Sequence, residues 1–305
     1  MIIGELSALG GSCCWASCST LFTAAVRRIG VYSLNLVRLW LALLFLFGAH
    51  WITTGTLVPT GPTKEDWFWL AISAVVGLVI GDLFYFGALK SIGPRVTMLL
   101  FILAPPVAAL GEWFISGVGL GPVVIAGMVI ALAGVATVIF ERGADNGKNA
   151  FPITVAGVLL GAAAAVCQGA GLVLSKIGLD NVDALGGTLI RMLAAAPLFA
   201  VIFFATGRSI KPVFREGKAL GFAFCGAFFG PFLGVTLSLL AVKHTHPGVA
   251  MTILSTTPIT ILPFSVFVYK ERLTLRTLSG TVLAVLGVAL LFLQDQVDDL
   301  LQLWR

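Results

Sequence analysis

Apolar blocks about as long as a bilayer is thick follow one another along this chain, and they constrain it more than any motif does. Ten can be read: 3–25, 33–53, 67–88, 96–116, 121–140, 154–175, 185–206, 219–241, 247–269 and 277–293. Each approaches or exceeds the ~20 residues a helix needs to cross ~30 Å of hydrocarbon. They are apolar all round, without the alternation of a transmembrane β-strand, so helices are the reading that satisfies lipid-facing backbone. Hydrophobic residues make up 58% of the chain and charged residues 11%, which leaves no polar surface for a soluble enzyme or a nucleic-acid binder. The first block has only Glu5 before most of its length, and Arg27 and Arg28 follow it. That is the reverse of a secretory signal, so the block is expected to stay in the protein. Cys13, Cys14, Cys18, Cys167 and Cys225 all fall inside blocks, away from His50, His244 and His246. They read as small packing residues, so neither disulfides, a metal nor a cofactor is expected.

Sliding the chain against itself by 153 residues exposes a repeat. Arg38 meets Arg191, Gly77 meets Gly230, Gly81 meets Gly234, Lys90 meets Lys243, and Pro94 meets Pro247. Met98 then meets Met251, Pro105 meets Pro258, Gly127 meets Gly280, and Gly134 meets Gly287. Five blocks per repeat is an odd number, so the second copy enters from the opposite side of the membrane. The predicted fold is therefore all-α and integral to the membrane: ten transmembrane helices as two inverted five-helix repeats. The boundaries read as 1–142 and 154–294, with a linker at 143–153 and a tail at 295–305. Inverted repeats suit secondary transporters, because two equivalent halves can exchange conformations around a shared central site.

The residues that carry the repeat also resemble a known family. Arg38 and Arg191, "GDLFYFGALKSIGPRVTMLLFILAPPVAAL", "GVTLSLLAVKHTHPGVAMTILSTTPITILPFSVFVYKERLT" and the ending "YKERLTLRTLSGTVLAVLGVALLF" are similar to the EamA-type members of the drug/metabolite transporter superfamily. The resemblance covers nearly the whole chain. It implies an exporter or importer of small metabolites, with a central cavity lined by helices 1, 3, 4, 6, 8 and 9. The first half departs from the pattern, since Val118 stands where the repeat would place the counterpart of Glu271.

Charges inside the blocks are few: Glu5, Arg38, Asp82, Glu112 and Arg191. An arginine or aspartate left alone at mid-helix costs ~2.5–3.5 kcal/mol on the insertion scale. At ~1.5 Å per residue, Arg38 and Asp82 lie ~8–9 Å from one face, and Arg191 and Glu112 ~6–9 Å from the other. Depth thus matches Arg38 with Asp82 and Arg191 with Glu112, as two candidate gates. The arginines could instead snorkel to the interface, and the two carboxyls could couple transport to protons. Hydroxyl and aromatic stripes suggest a cavity lining: Ser12, Trp15 and Ser19 on helix 1, Thr252, Ser255 and Thr256 on helix 9, Asp82 with Tyr85 on helix 3, and Gln168 on helix 6. Pro105 and Pro258 interrupt helices 4 and 9 at equivalent places and read as hinges.

The function these features predict is secondary transport of small organic metabolites, such as amino acids, by alternating access. The expected setting is a multi-pass protein of the plasma or inner membrane, with H+ or an exchanged solute as coupling partner. Efflux of drugs or cations is the alternative, and a lipid-acting membrane enzyme a distant one. No G-x-x-x-x-G-K-[ST] motif appears, so ATP is not the expected driver. The loops after odd-numbered helices carry Arg27, Arg28, Lys90, Arg95, Arg142, Lys148, Arg208, Lys211, Arg215, Lys218, Lys270, Arg272 and Arg276. The face that holds both termini carries Lys64, Lys176, Lys243 and Arg305. The positive-inside rule then places the termini outside, whereas the family resemblance implies both inside.

Overall fold

A computed structural model describes residues 2–117, 121–140, 151–179, 181–244, 247–271 and 273–293. The tail at 295–305, most of the linker, Val118 and His246 lie outside the described residues. The first repeat contains α1 (Ile2–Ile29), α2 (Val31–Thr54), α3 (Lys64–Ala74), α4 (Asp82–Leu100), α5 (Ala104–Ser116) and α6 (Pro122–Ile139). The second contains α7 (Val155–Ile177), α8 (Ala184–Ala205), α9 (Lys211–Arg215), α10 (Gly217–Ala227), α11 (Val235–His244), α12 (Pro247–Leu254), α13 (Thr257–Thr260), α14 (Leu262–Tyr269) and α15 (Leu275–Phe292). Nine helical stretches among the described residues are long and apolar enough to cross a membrane. One of them, Lys64–Phe114, runs for 51 residues and contains two crossings. Its reversal point is Gly93, at φ 75° and ψ 175°. Gly30, between α1 and α2, has nearly the same conformation, at φ 79° and ψ 168°. Both hairpins thus turn on a backbone geometry that only glycine adopts without strain.

The backbone repeats its irregularities at the offset read from the sequence. A π-helical segment occupies Val75–Gly81 in the third span and Phe228–Gly234 in the eighth, 153 residues on. A 3-10 turn at Phe101–Leu103 breaks the fourth span before Pro105. The ninth span breaks between α12 and α13, just before Pro258, at the equivalent place. Helix starts are set by side chains: Thr63 and Asp66 form a capping box on α3, and Thr154, Asp183 and Thr274 cap α7, α8 and α15.

The inversion is written in the contact between α6 and α15. A methyl group on Gly134 would lie 2.3 Å from the Ala284 nitrogen, and one on Gly287 would lie 2.3 Å from that of Ala131. Gly127 faces Gly287 while Gly134 faces Gly280, so the helices run antiparallel. Each contact becomes the other when the repeats are exchanged, which requires a pseudo-two-fold axis across the helices, in the membrane plane. Small residues allow this approach, and dispersion over two touching backbones supplies the attraction. α2 packs on α8 in the same manner around Leu39, Leu46, Phe199 and Phe203.

The remaining spans interlock across the repeats. Gly226, Gly230 and Gly234 of the eighth span press against Phe22, Cys18 and Trp15 of α1. Gly81 meets Cys167 of α7, and Gly171 of α7 meets Gly77. The glycines of each π segment therefore seat the helix that opens the other repeat. Phe114, Val155, Phe267 and Leu275 stay largely exposed on the outside, as lipid-facing side chains should. We call the face reached by α1's C-terminus the basic face, and the opposite one the terminal face.

Candidate functional site

Between the interlocked spans lies a cavity of about 360 Å³, a size that suits a small solute. Among the expected residues, Trp15, Asp82, Tyr85, Pro105, Gln168, Ser255 and Pro258 line it, together with Arg38 and Arg191. Four others, Ser12, Ser19, Thr252 and Thr256, are not part of the lining. Ser12 is fully buried and hydrogen-bonds Thr256 at 3.2 Å and Thr260 at 3.1 Å, tying α1 to the break in the ninth span. Ser19 donates to the Ala16 carbonyl oxygen of its own helix. Thr252 lies on α12, outside the cavity lining.

Arg38 and Asp82 form a buried ion pair across α2 and α4. The Arg38 guanidinium also lies 5.5 Å from the centre of the Phe86 ring. Arg191 and Glu112 are not brought together. Glu112 pairs instead with Lys176 of α7, and both of those side chains are more than half exposed. Arg191 reaches into the cavity, where its Nη2 would sit 3.2 Å from a methyl group on Gly77, with the Gln168 Oε1 at 3.4 Å from the same point. Its Nε has no hydrogen-bond partner. The carboxylate whose charge it feels is Asp82, already engaged by Arg38. Matching depth could not reveal this, because Arg191 extends sideways past Gly77 toward the middle of the bundle. The cavity therefore holds two arginines against one aspartate.

Sequence reasoning did not find most of the aromatic and sulfur lining. Phe22, Met98, Phe101 and Met192 complete the wall. Such residues carry no motif, and only the convergence of the first, fourth and seventh spans brings them together.

At the basic face, charge and aromatic contacts join the two repeats. Arg95 and Glu271 form a buried ion pair at 3.0 Å, one from each repeat. Phe151, in the connection between repeats, packs edge to face on Tyr269 at 5.3 Å, and the Arg27 guanidinium lies 4.2 Å above its ring. The Tyr269 hydroxyl donates to the Thr20 carbonyl oxygen at 3.1 Å. A side chain on Gly93 would strike Phe151 at 2.5 Å, so that glycine serves both the turn and the seal. α1 packs along α4 beneath this plug; the symmetry-related packing of α7 on α11 and α12 is not made to any such extent among the described residues. Repeat positions for the ion pair, 153 residues away, are Gly248 and Val118 in sequence, so the terminal face has no equivalent pair of charges.

Two repeats of five crossings, inverted about an axis in the membrane plane and enclosing one cavity, define a multi-pass membrane protein built on a transporter scaffold. The EamA-like transporter family model matches residues 2–140 and 155–293, and the chain belongs to that family, and so to the drug/metabolite transporter superfamily. No curated protein matches the sequence significantly. A solved structure titled "Crystal structure of protein" is similar over 94% of this chain and 95% of its own, with 21% identity and a TM-score of 0.65. At that identity the likeness speaks for the fold alone.

Proposed function

We propose that this transporter moves small organic metabolites, amino acids among them, by alternating access through the central cavity. The observation that supports this reading is the unequal closure of the two faces: an ion pair and an aromatic plug join the repeats at the basic face, and no symmetry-related closure stands opposite among the described residues. In the proposed cycle this conformation opens to the terminal face. The other conformation is reached by exchanging the roles of the repeats, with the bends at Pro105 and Pro258 as hinges. Asp82 and Arg38 hold the cavity wall in register. Rearrangement of the Arg95–Glu271 pair accompanies opening to the basic face. A gradient of H+ or of an exchanged solute supplies the work, in the plasma or inner membrane.

The test is counterflow. Proteoliposomes loaded with a mixture of amino acids and small organic acids should accumulate a labelled member of that mixture, saturably and without ATP. Uptake that rises linearly with concentration and ignores the internal load would point to a channel and overturn the proposal.

A further inference from the structure

Arg191 is the residue the transport cycle above does not account for. It sits beside a cavity, its Nε is unpaired, and the neighbouring carboxylate belongs to Arg38. A cation in this setting is costly unless something completes it. Around it the chain leaves room and adds polar atoms rather than a counter-charge. Gly77 clears the space in front of the guanidinium, Gln168 brings an amide, and Thr188 lines the cavity one turn away on the same helix. The rest of the wall is carbon, sulfur and aromatic ring: Trp15, Tyr85, Phe101, Met98 and Met192. With Asp82 engaged, the cavity offers no free carboxylate to a ligand ammonium.

We infer that Arg191 is the anchor for the carboxylate of the transported solute, with Gln168 beside it, and that the cavity selects small organic acids with an apolar or aromatic body. The inference rests on the transporter reading and adds to it the charge class of the cargo. A planar guanidinium is the side chain best suited to hold a carboxylate through two parallel hydrogen bonds. The amino group of an amino acid is tolerated on this scheme but not required, and amines without an acid group are rejected by the unneutralised charge of Arg191.

The experiment uses the full-length protein and probes that share one carbon body: 3-phenylpropionate, L-phenylalanine, 3-phenylpropionamide and 2-phenylethylamine. Thermal stabilisation is measured in detergent, and counterflow in proteoliposomes. The two acids should stabilise and exchange; the amide and amine should do so about tenfold more weakly or not at all. Arg191→Gln should abolish the preference of acid over amide, while its melting temperature holds or rises, because an uncompensated cation has been removed. Arg191→Lys should keep the preference for charge but bind the acids more weakly.

A merely structural Arg191 would leave the acid-to-amide ratio unchanged in both variants, and that result would overturn the inference. So would equal or better exchange of the amide or amine, or a failure of both acids to bind and to exchange. Exchange of the amide alongside the acids would sink the carboxylate site and leave the transporter standing. Stabilisation by the acids with no exchange of any solute would do the reverse.

Discussion

Single residues decide how charge is tolerated inside this bundle. Asp82 neutralises Arg38 and sits within the field of Arg191, and it is the only negative charge among the described cavity-lining side chains. Asp82→Asn should leave two buried cations uncompensated and destabilise the protein by about 3–5 kcal/mol, the usual cost of orphaning one partner of a buried pair. The measurement is the melting temperature in detergent, with Arg38→Gln/Asp82→Asn as the control that should recover much of the loss. A double variant no more stable than Asp82→Asn alone would show that the pair is not the source of the effect. This pair was legible in the sequence because both groups lie at one depth on spans that turn out to be neighbours. The partner of Glu112 was not, because depth fixes one coordinate and lateral position is set by helix packing. Lys176 ends α7 beside Glu112, whereas Arg191 points inward.

Elements carry the symmetry, and they can be tested as symmetric pairs. Gly134→Ala and Gly287→Ala each place a methyl group against a backbone nitrogen of the partner helix at the same 2.3 Å. Each should cost about 1–3 kcal/mol by overpacking, and the two losses should agree. Unequal shifts in melting temperature would show that the interface of α6 and α15 is not shared evenly between repeats. The gate can be read with a native thiol, since Cys18 lines the cavity. With Cys13, Cys14, Cys167 and Cys225 replaced by serine, Glu271→Gln should speed labelling of Cys18 by a polar thiol reagent added at the basic face. An unchanged rate would mean that the Arg95–Glu271 pair does not restrain that face. Hydropathy found the spans but misplaced some of their ends. The third block was closed at residue 88, before Lys90, yet the helix runs on to Gly93, since a lysine near the membrane surface can keep its head in water. The π segments left no mark in hydropathy. They show only as glycines at 77, 81, 230 and 234, whose purpose becomes visible once α1 and α7 are seen lying against them.

At the scale of the whole molecule, the charge count and the family resemblance give opposite orientations, and we propose that charge decides. The basic face carries most of the lysines and arginines outside the spans, so it should lie in the cytoplasm. A cysteine placed at Ser209, in the exposed connection between α8 and α9, should resist an impermeant maleimide in intact cells and react after permeabilisation. Labelling in intact cells would reverse the assignment. The inverted architecture was readable from a single offset, because the same arginine, prolines and glycines recur at it from Arg38 to Gly134 without a gap. What the offset hid is where the halves differ. In sequence, Gly248 and Val118 occupy the repeat positions of Arg95 and Glu271, so this latch of charges has no repeat-related counterpart. On the proposed cycle, a vacant carrier would then spend most of its time with its mouth turned away from the latch. Apparent affinity and speed would differ between the two compartments, while the final concentration ratio, fixed by the coupled gradient, would not. A one-sided bolt on a two-sided door sets the traffic pattern without choosing the destination.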